Sequence, residues 1–242
     1  RITELRVPLQ GLPASADGFT IVAISDIHVG DVMTQRYLDG LTARIEGMKP
    51  DLLVVIGDIT DEAGGGDGTT FRKLAAVGAK HGVFAATGNH EWYSGGEGVV
   101  DALQGAGVRV LRQNREVVAG AIELAGVDDP TFLGGRNGAA AAIDRALAGR
   151  ASGLPVVLIA HQPVGVEHAA KSGVGLMLCG HTHGGQLPPF QFLTGLAFPY
   201  FAGSYEVEGM HLYVNNGAGS WGPPVRLFAE PEIVRVTLTP GE

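Results

Sequence analysis

The sequence predicts an α/β (α+β) protein, and three observations carry that expectation. Short, apolar, β-rich runs recur along the chain and alternate with segments of helical period. Five of these runs lead, within three residues, to Asp, Asn or His, the residue types that bind hard or borderline divalent cations. Glycine, at 38 of 242 residues, shows neither a fixed period nor a low-complexity tract, which fits many tight strand-to-loop turns.

In chain order, residues 20–25 (TIVAIS) read as the first strand, followed by Asp26-Ile27-His28. Residues 34–48 have helical spacing, with Tyr37, Leu38, Leu41 and Ile45 on one face, Thr34 as N-cap and Pro50 just beyond the end. Residues 52–56 (LLVVI) form a continuous apolar run, as in a strand buried on both faces, and lead into Gly57-Asp58. A Gly-rich loop at 64–68 precedes a predicted helix at 69–79. The strand at 83–86 leads into Gly88-Asn89-His90-Glu91. The second half repeats the scheme: strand 121–127, Ala-rich helix 139–147, buried strand 155–160 ending at His161, and strand 174–179 leading into Gly180-His181-Thr182-His183. Residues 184–205 read as a long Gly-, Pro- and aromatic-rich loop, and 211–215 and 233–238 as closing strands separated by an irregular stretch with Pro223-Pro224. No linker-like composition and no repeat divides the chain, so a single domain over residues 1–242 is expected.

Strand ends in an open α/β sheet gather residues distant in sequence into one crevice. Asp-x-His and His-x-His on extended backbone place alternate side chains on the same side. Asp58, alone at the tip of a buried strand, is the natural bridging carboxylate, with Asp26, His28, Asn89, His161, His181 and His183 as terminal ligands. A lone Asp-x-His or Gly-Asp occurs often by chance. The weight lies in all five motifs in this order, which take five of the eight histidines. The pattern predicts a hydrolytic site with two divalent metal ions, where a shared water loses a proton and a phosphoryl oxygen is clamped.

Composition narrows the partners. A formal net charge of −8 argues against a general nucleic-acid binder, so no nucleic acid is expected. With one cysteine, Cys179, no intrachain disulfide can form, and the residue is expected to be a small buried hydrophobe. No run of about 18 apolar residues suggests a bilayer-spanning segment.

From Asp26 to His183 the chain resembles the calcineurin-like metallophosphoesterase superfamily. The resemblance implies a four-layer αββα fold, a two-sheet β-sandwich flanked by helices. It implies one ion held by Asp26, His28, Asp58 and His183, and the other by Asp58, Asn89, His161 and His181. It further implies in-line attack on phosphorus by a hydroxide between the ions, with His90 contacting phosphate or protonating the leaving group, and Asp61 pairing with His90. Manganese is the expected metal in assays, with iron, zinc or cobalt as alternatives. Phosphoprotein phosphatases of the superfamily follow the Gly-Asp-x-x-Asp motif with Arg-Gly, whereas Asp61 here is followed by Glu62-Ala63, which disfavours that activity. A non-catalytic scaffold of the same fold is the other alternative. Retention of every candidate ligand and of His90 disfavours it.

A narrower resemblance covers Gly180-His181-Thr182-His183-Gly184-Gly185-Gln186, the aromatic segment after it, and Pro231-Glu232-Ile233. It is similar to a bacterial branch with membrane-anchored phosphodiesterases and enzymes of lipid-linked or cell-envelope phosphoesters. That implies a phosphodiesterase, with phosphomonoesterase activity alongside, on a small-molecule, nucleotide or lipid phosphoester. It also implies contact with a membrane surface and a bacterial membrane-anchored protein whose anchor precedes Arg1. The apolar residues of 187–201 are expected to pack on one another, with an apolar lip for lipid as the alternative. Trp92 and Tyr93 stand equally for cleft or core. Arg136 and Asn137 are distant candidates for phosphate, and His81, His168 and His211 are read as surface or packing residues.

Overall fold

The structure, a computed structural model, describes residues 1–66, 68–151 and 153–241. In chain order its elements are β1 (Ile2–Leu9), β2 (Thr20–Ile24), α1 (Gln35–Gly47), β3 (Leu52–Ile56), α2 (Thr69–Ala75) and β4 (Val83–Ala86). These are followed by α3 (Asn89–Tyr93), α4 (Glu97–Gly105), β5 (Arg109–Val110), β6 (Asn114–Val118), β7 (Ile122–Gly126) and α5 (Gly135–Leu147). The last are β8 (Val156–Ile159), α6 (Val166–Lys171), β9 (Val174–Cys179), α7 (Phe190–Ala197), β10 (Gly203–Val207), β11 (Met210–Val214) and β12 (Ile233–Pro240).

The strands form two six-stranded sheets, ordered β1-β12-β2-β3-β4-β5 and β10-β11-β9-β8-β7-β6. In the first, β2, β3, β4 and β5 run parallel, and β12 pairs antiparallel to β2 and parallel to β1. In the second, β7, β8, β9 and β11 are parallel, and β6 and β10 pair antiparallel at the two edges.

Side-chain alternation explains why the central strands read as continuous apolar runs. Ile21, Ala23, Leu52, Val54 and Ile56 point into a core shared with Leu124, Val157, Ile159, Leu176 and Leu178 of the opposite sheet. Val22, Ile24, Leu53 and Val55 point outward to Leu38, Leu41, Ile45, Phe71, Val99 and Leu103 of α1, α2 and α4. On the far side, Val156, Leu158 and Met177 pack on Ala142, Ile143, Ala146, Val166 and Ala169 of α5 and α6. The result is a four-layer αββα sandwich.

Several local expectations need correction. Residues 184–205 are not one long loop, because they contain α7 and enter β10. No residue of α7 is buried, so no alternation of buried and solvent positions marked it as a helix. The expectation that residues 187–201 pack on one another fails for Phe192, Leu193 and Leu196, which are exposed. The helix predicted at 69–79 ends at Ala75, with Gly78 close behind. That predicted at 139–147 begins earlier, at Gly135, and so takes in Arg136 and Asn137 as exposed first-turn residues. Thr34 does occupy the N-cap position of α1, but its side chain makes no capping hydrogen bond. Of the loop read at 64–68, residue 67 lies outside the described residues.

Candidate metal centre

All seven predicted ligands lie just past the carboxyl ends of parallel strands: Asp26 and His28 after β2, Asp58 after β3, Asn89 after β4, His161 after β8, and His181 and His183 after β9. Two triads of potential ligand atoms converge there. One is Asp26, His28 and His183, the other Asp58, His161 and His181, each with its atoms within 4.8 Å of one another.

Asp58, of the second triad, also reaches toward the first. Its Oδ2 is 3.1 Å from His161 Nε2 and 3.8 Å from His28 Nε2. Its Oδ1 accepts the backbone N–H of His90 at 2.8 Å. Asp26 makes a second link, with Oδ1 3.3 Å from His183 Nε2 and 3.9 Å from His161 Nε2. His28 Nε2 and His183 Nε2 face one another at 3.1 Å. Asn89 opens α3 and lines the same cleft as Asp58, His181 and His183.

The backbone is bent for this convergence. Asp26, His28, Asp58, His181 and His183 all have positive φ, between 52° and 71°, a left-handed conformation that costs a non-glycine residue on the order of 1 kcal/mol or more. Two glycines permit the close approach. A β-carbon at Gly88 would lie 2.2 Å from Asp58 Oδ1, and one at Gly180 would lie 2.5 Å from Asp26 Oδ2.

Neighbouring groups turn the ligands toward the centre. His161 Nδ1 donates to the Ile56 carbonyl at 2.8 Å, and His28 Nδ1 to Asp61 Oδ1 at 2.9 Å, so both imidazoles present Nε2 to the site. Both Asp26 oxygens accept the His181 N–H at 3.1 Å.

The electrostatics suit cations. Burial pushes the carboxyls of Asp26 and Asp58 up, but surrounding imidazoles outweigh it and hold Asp26 below, and Asp58 well below, the usual carboxylate range; His183 leads for Asp26 and His161 for Asp58. Burial lowers His183 to about 3 and His181 to about 4, so both are neutral ligands at ordinary pH. His161 is raised, because the charge and hydrogen bond of Asp58 overcome its burial. The donor set fits divalent cations. Asn89 Oδ1 and His183 Nδ1 are buried without a hydrogen-bond partner among the described residues, and an unsatisfied buried polar atom costs about 1–3 kcal/mol.

Beside the triads, His90 Nδ1 lies 2.7 Å from Asp61 Oδ1. Asp61 thus pairs with His28 as well as with His90. Tyr93 lines the cleft against the His90 ring, whereas Trp92 stacks on Phe132. Cys179 is fully buried, its thiol pushed up by burial. His168 pairs with Asp144 and His81 stacks on Phe19.

Two supporting residues were not assigned a role from sequence. Glu91, completely buried, accepts the N–H groups of Asp58 (2.8 Å), Ile59 (2.6 Å) and Gly88 (2.6 Å), tying the Asp58 turn to the Asn89 turn. Its place three residues after Gly88 at a helix start is a capping-box signal. Arg226 turns its guanidinium inward onto the carbonyls of His183, Asn216, Gly217, Gly219 and Ala229. Only its isolation in an uncharged stretch hinted at it.

Comparison with known proteins settles the family. Residues 19–185 match the family model for calcineurin-like phosphoesterases. The chain belongs to that family. Its domain is that of a metal-dependent phosphoester hydrolase. It is 35% identical to an uncharacterized metallophosphoesterase of Helicobacter pylori strain J99, over 91% of this chain and 60% of that protein. It is 32% identical to a transmembrane protein with metallophosphoesterase domain of Danio rerio, over 98% of this chain and 57% of that one. The chain thus spans about three fifths of the length of these curated relatives. An uncharacterized metallophosphoesterase of Aquifex aeolicus is 33% identical over 98% of this chain and 91% of its own length. Among solved structures, a 5'-nucleotidase precursor of Thermus thermophilus shares the fold at TM-score 0.51 and 18% identity, over 90% of this chain and 54% of that one. GAP50, described as the anchor in the inner membrane complex of Plasmodium, does so at TM-score 0.51 and 12% identity, over 90% and 80%.

Proposed function

We propose that the protein hydrolyses phosphodiesters, with phosphomonoesters as slower substrates, using two divalent metal ions. The observation that carries this reading is that Asp58 belongs to one His-and-Asp triad and lies 3.8 Å from His28 of the other, beside the His90–Asp61 pair. Asp26, His28, His183 and Asp58 would hold one ion, and Asp58, Asn89, His161 and His181 the other. Such ions supply Lewis acidity and bring the pKa of a bound water toward neutrality.

The chain's own residues supply the rest. His90 lines the cleft, and although burial lowers its pKa, the hydrogen bond to Asp61 and the charge of Asp58 more than reverse that. It stays protonated past the ordinary imidazole range and gives its proton to the departing oxygen as the P–O bond breaks. Water's oxygen joins phosphorus, and the alcohol leaves neutral. Asp61 fixes the His90 ring and tautomer. Glu62 follows Asp61 where a phosphoprotein phosphatase would carry its phosphate-binding Arg, which favours other phosphoesters. The complete ligand set together with His90 argues against a purely scaffolding role.

The substrate is a small-molecule, nucleotide or lipid phosphoester, and manganese is the metal to try first, before iron, zinc or cobalt. The test is turnover of bis(p-nitrophenyl) phosphate and p-nitrophenyl phosphate by protein loaded with each metal. Protein with metal demonstrably bound that turns over neither ester would overturn the reading.

A further inference from the structure

Helix α7 is apolar on two sides. Phe190, Thr194 and Phe198, four residues apart, face the cleft of about 780 Å³ that also holds Asp58, Asn89, His181 and His183. Phe192, Leu193 and Leu196 point away into solvent, Phe192 at 73% and Leu196 at 85% exposure. The segment 221–228 lies alongside and continues the surface, with Phe228 90% exposed and Trp221 lining both cleft and exterior.

The two segments are one unit. Gln186 Nε2 donates to the Trp221 carbonyl at 2.7 Å and Gln186 Oε1 accepts the Trp221 N–H at 2.9 Å. The Leu227 N–H reaches the Gln186 carbonyl at 2.8 Å, and Gln191 Nε2 the Leu227 carbonyl at 2.8 Å. No Asp, Glu, Lys or Arg occurs from residue 184 to 205, and the one charge in 221–228, Arg226, is turned inward onto backbone carbonyls.

We propose that this rim docks on a lipid bilayer, and that the cleft takes its phosphoester from that bilayer. The inference rests on the hydrolase reading above for its second half. Three features select lipid over a protein partner. The exposed side chains protrude instead of lining a groove, as suits insertion into the headgroup region. The carbonyls of Trp221, Pro223 and Leu227 on the rim are already engaged by Gln186 and Gln191, which leaves less directional bonding to offer a protein. The outer face is one helix away from the ligand triads, so a folded protein seated there would cover the entrance, whereas a lipid's chains can remain in the bilayer while its phosphate crosses α7. With an uncharged rim on a chain of net charge −8, apolar burial drives docking, so zwitterionic vesicles suffice and salt has little effect.

The test is co-sedimentation of the metal-loaded protein with phosphatidylcholine vesicles, with Trp221 fluorescence recorded in parallel. Partition with a blue shift that is lost in Trp221→Phe is expected. Phe192→Asp, Leu196→Asp and Phe228→Asp should each weaken partition about tenfold or more, while turnover of the soluble bis(p-nitrophenyl) phosphate stays unchanged. Absence of partition at millimolar lipid, partition unaffected by these changes, or a dimer in light scattering that the same changes dissolve would each overturn the proposal. Vesicle binding without soluble-ester turnover would sink the hydrolase reading and leave the docking intact, and the converse result would do the reverse.

Discussion

His90 holds Nδ1 2.7 Å from Asp61 Oδ1, and that same oxygen receives His28 Nδ1 at 2.9 Å. One carboxylate thereby orients both a candidate ligand and the candidate proton donor. Its own carboxyl, although pushed up by partial burial, is held well below the usual range by these two imidazoles.

Asp61→Asn removes the charge and keeps the shape. His90 is raised in the folded protein, so its proton persists above the ordinary imidazole value and is lost as pH rises through the folded one. The high-pH limb of the rate profile should therefore move to lower pH in Asp61→Asn, with kcat reduced roughly ten- to hundredfold at neutral pH. A pH–rate profile of both proteins checks this, and an NMR titration of the His90 ring should shift in the same direction.

Removing metal should destabilise the fold. Without cations, the buried carboxylates of Asp26 and Asp58 are balanced only by neighbouring imidazoles and one backbone N–H each, of His181 and His90 respectively. Saturating metal at 100 times its dissociation constant adds about 2.7 kcal/mol, so a chelator should lower the melting temperature by several degrees. Because His161 binds its proton above the ordinary range, a cation must displace that proton, and apparent affinity should rise with pH until His161 is neutral. Scanning calorimetry and metal titration at several pH values test both.

Glu91→Ala should cost about 3 kcal/mol or more in urea unfolding. It strands the N–H groups of Asp58, Ile59 and Gly88 in a buried site. Glu91→Gln keeps one acceptor oxygen and should recover part of the loss.

Arg226→Ala should reduce metal affinity more than its distance from the ligand atoms suggests. The guanidinium holds the His183 carbonyl at 2.9 Å and the backbone around Gly217. Arg226→Lys should not rescue, because one ammonium cannot span the same carbonyls. Isothermal titration with manganese reads the effect, expected at about tenfold.

Much of the fold was legible because the central strands carry their burial in their composition. LLVVI at β3 is apolar throughout since Leu52 and Val54 fill the inter-sheet core while Leu53 and Val55 meet the helices. The ligand motifs were legible because each sits where such a strand runs out. β1 was not, because its alternate residues are exposed and its partner β12 lies at the other end of the chain, Ile2 opposite Ile233. α7 was hidden because no residue of it is buried to set a period. Glu91 and Arg226 act through backbone groups of other segments, and no local pattern reports a hydrogen bond between turns that meet only in the folded chain.

The left-handed backbone at Asp26, His28, Asp58, His181 and His183 bears on which ions the protein accepts. Those turns end strands of two packed sheets and are hydrogen-bonded to one another, Asp26 N–H to the Gly57 carbonyl at 3.0 Å and His28 N–H to the Asp58 carbonyl at 3.1 Å. Such bracing leaves the ligand atoms little room to spread around a larger ion. Calcium, which takes more and longer oxygen contacts than this imidazole-rich set offers, should therefore fail to displace manganese in a competition titration.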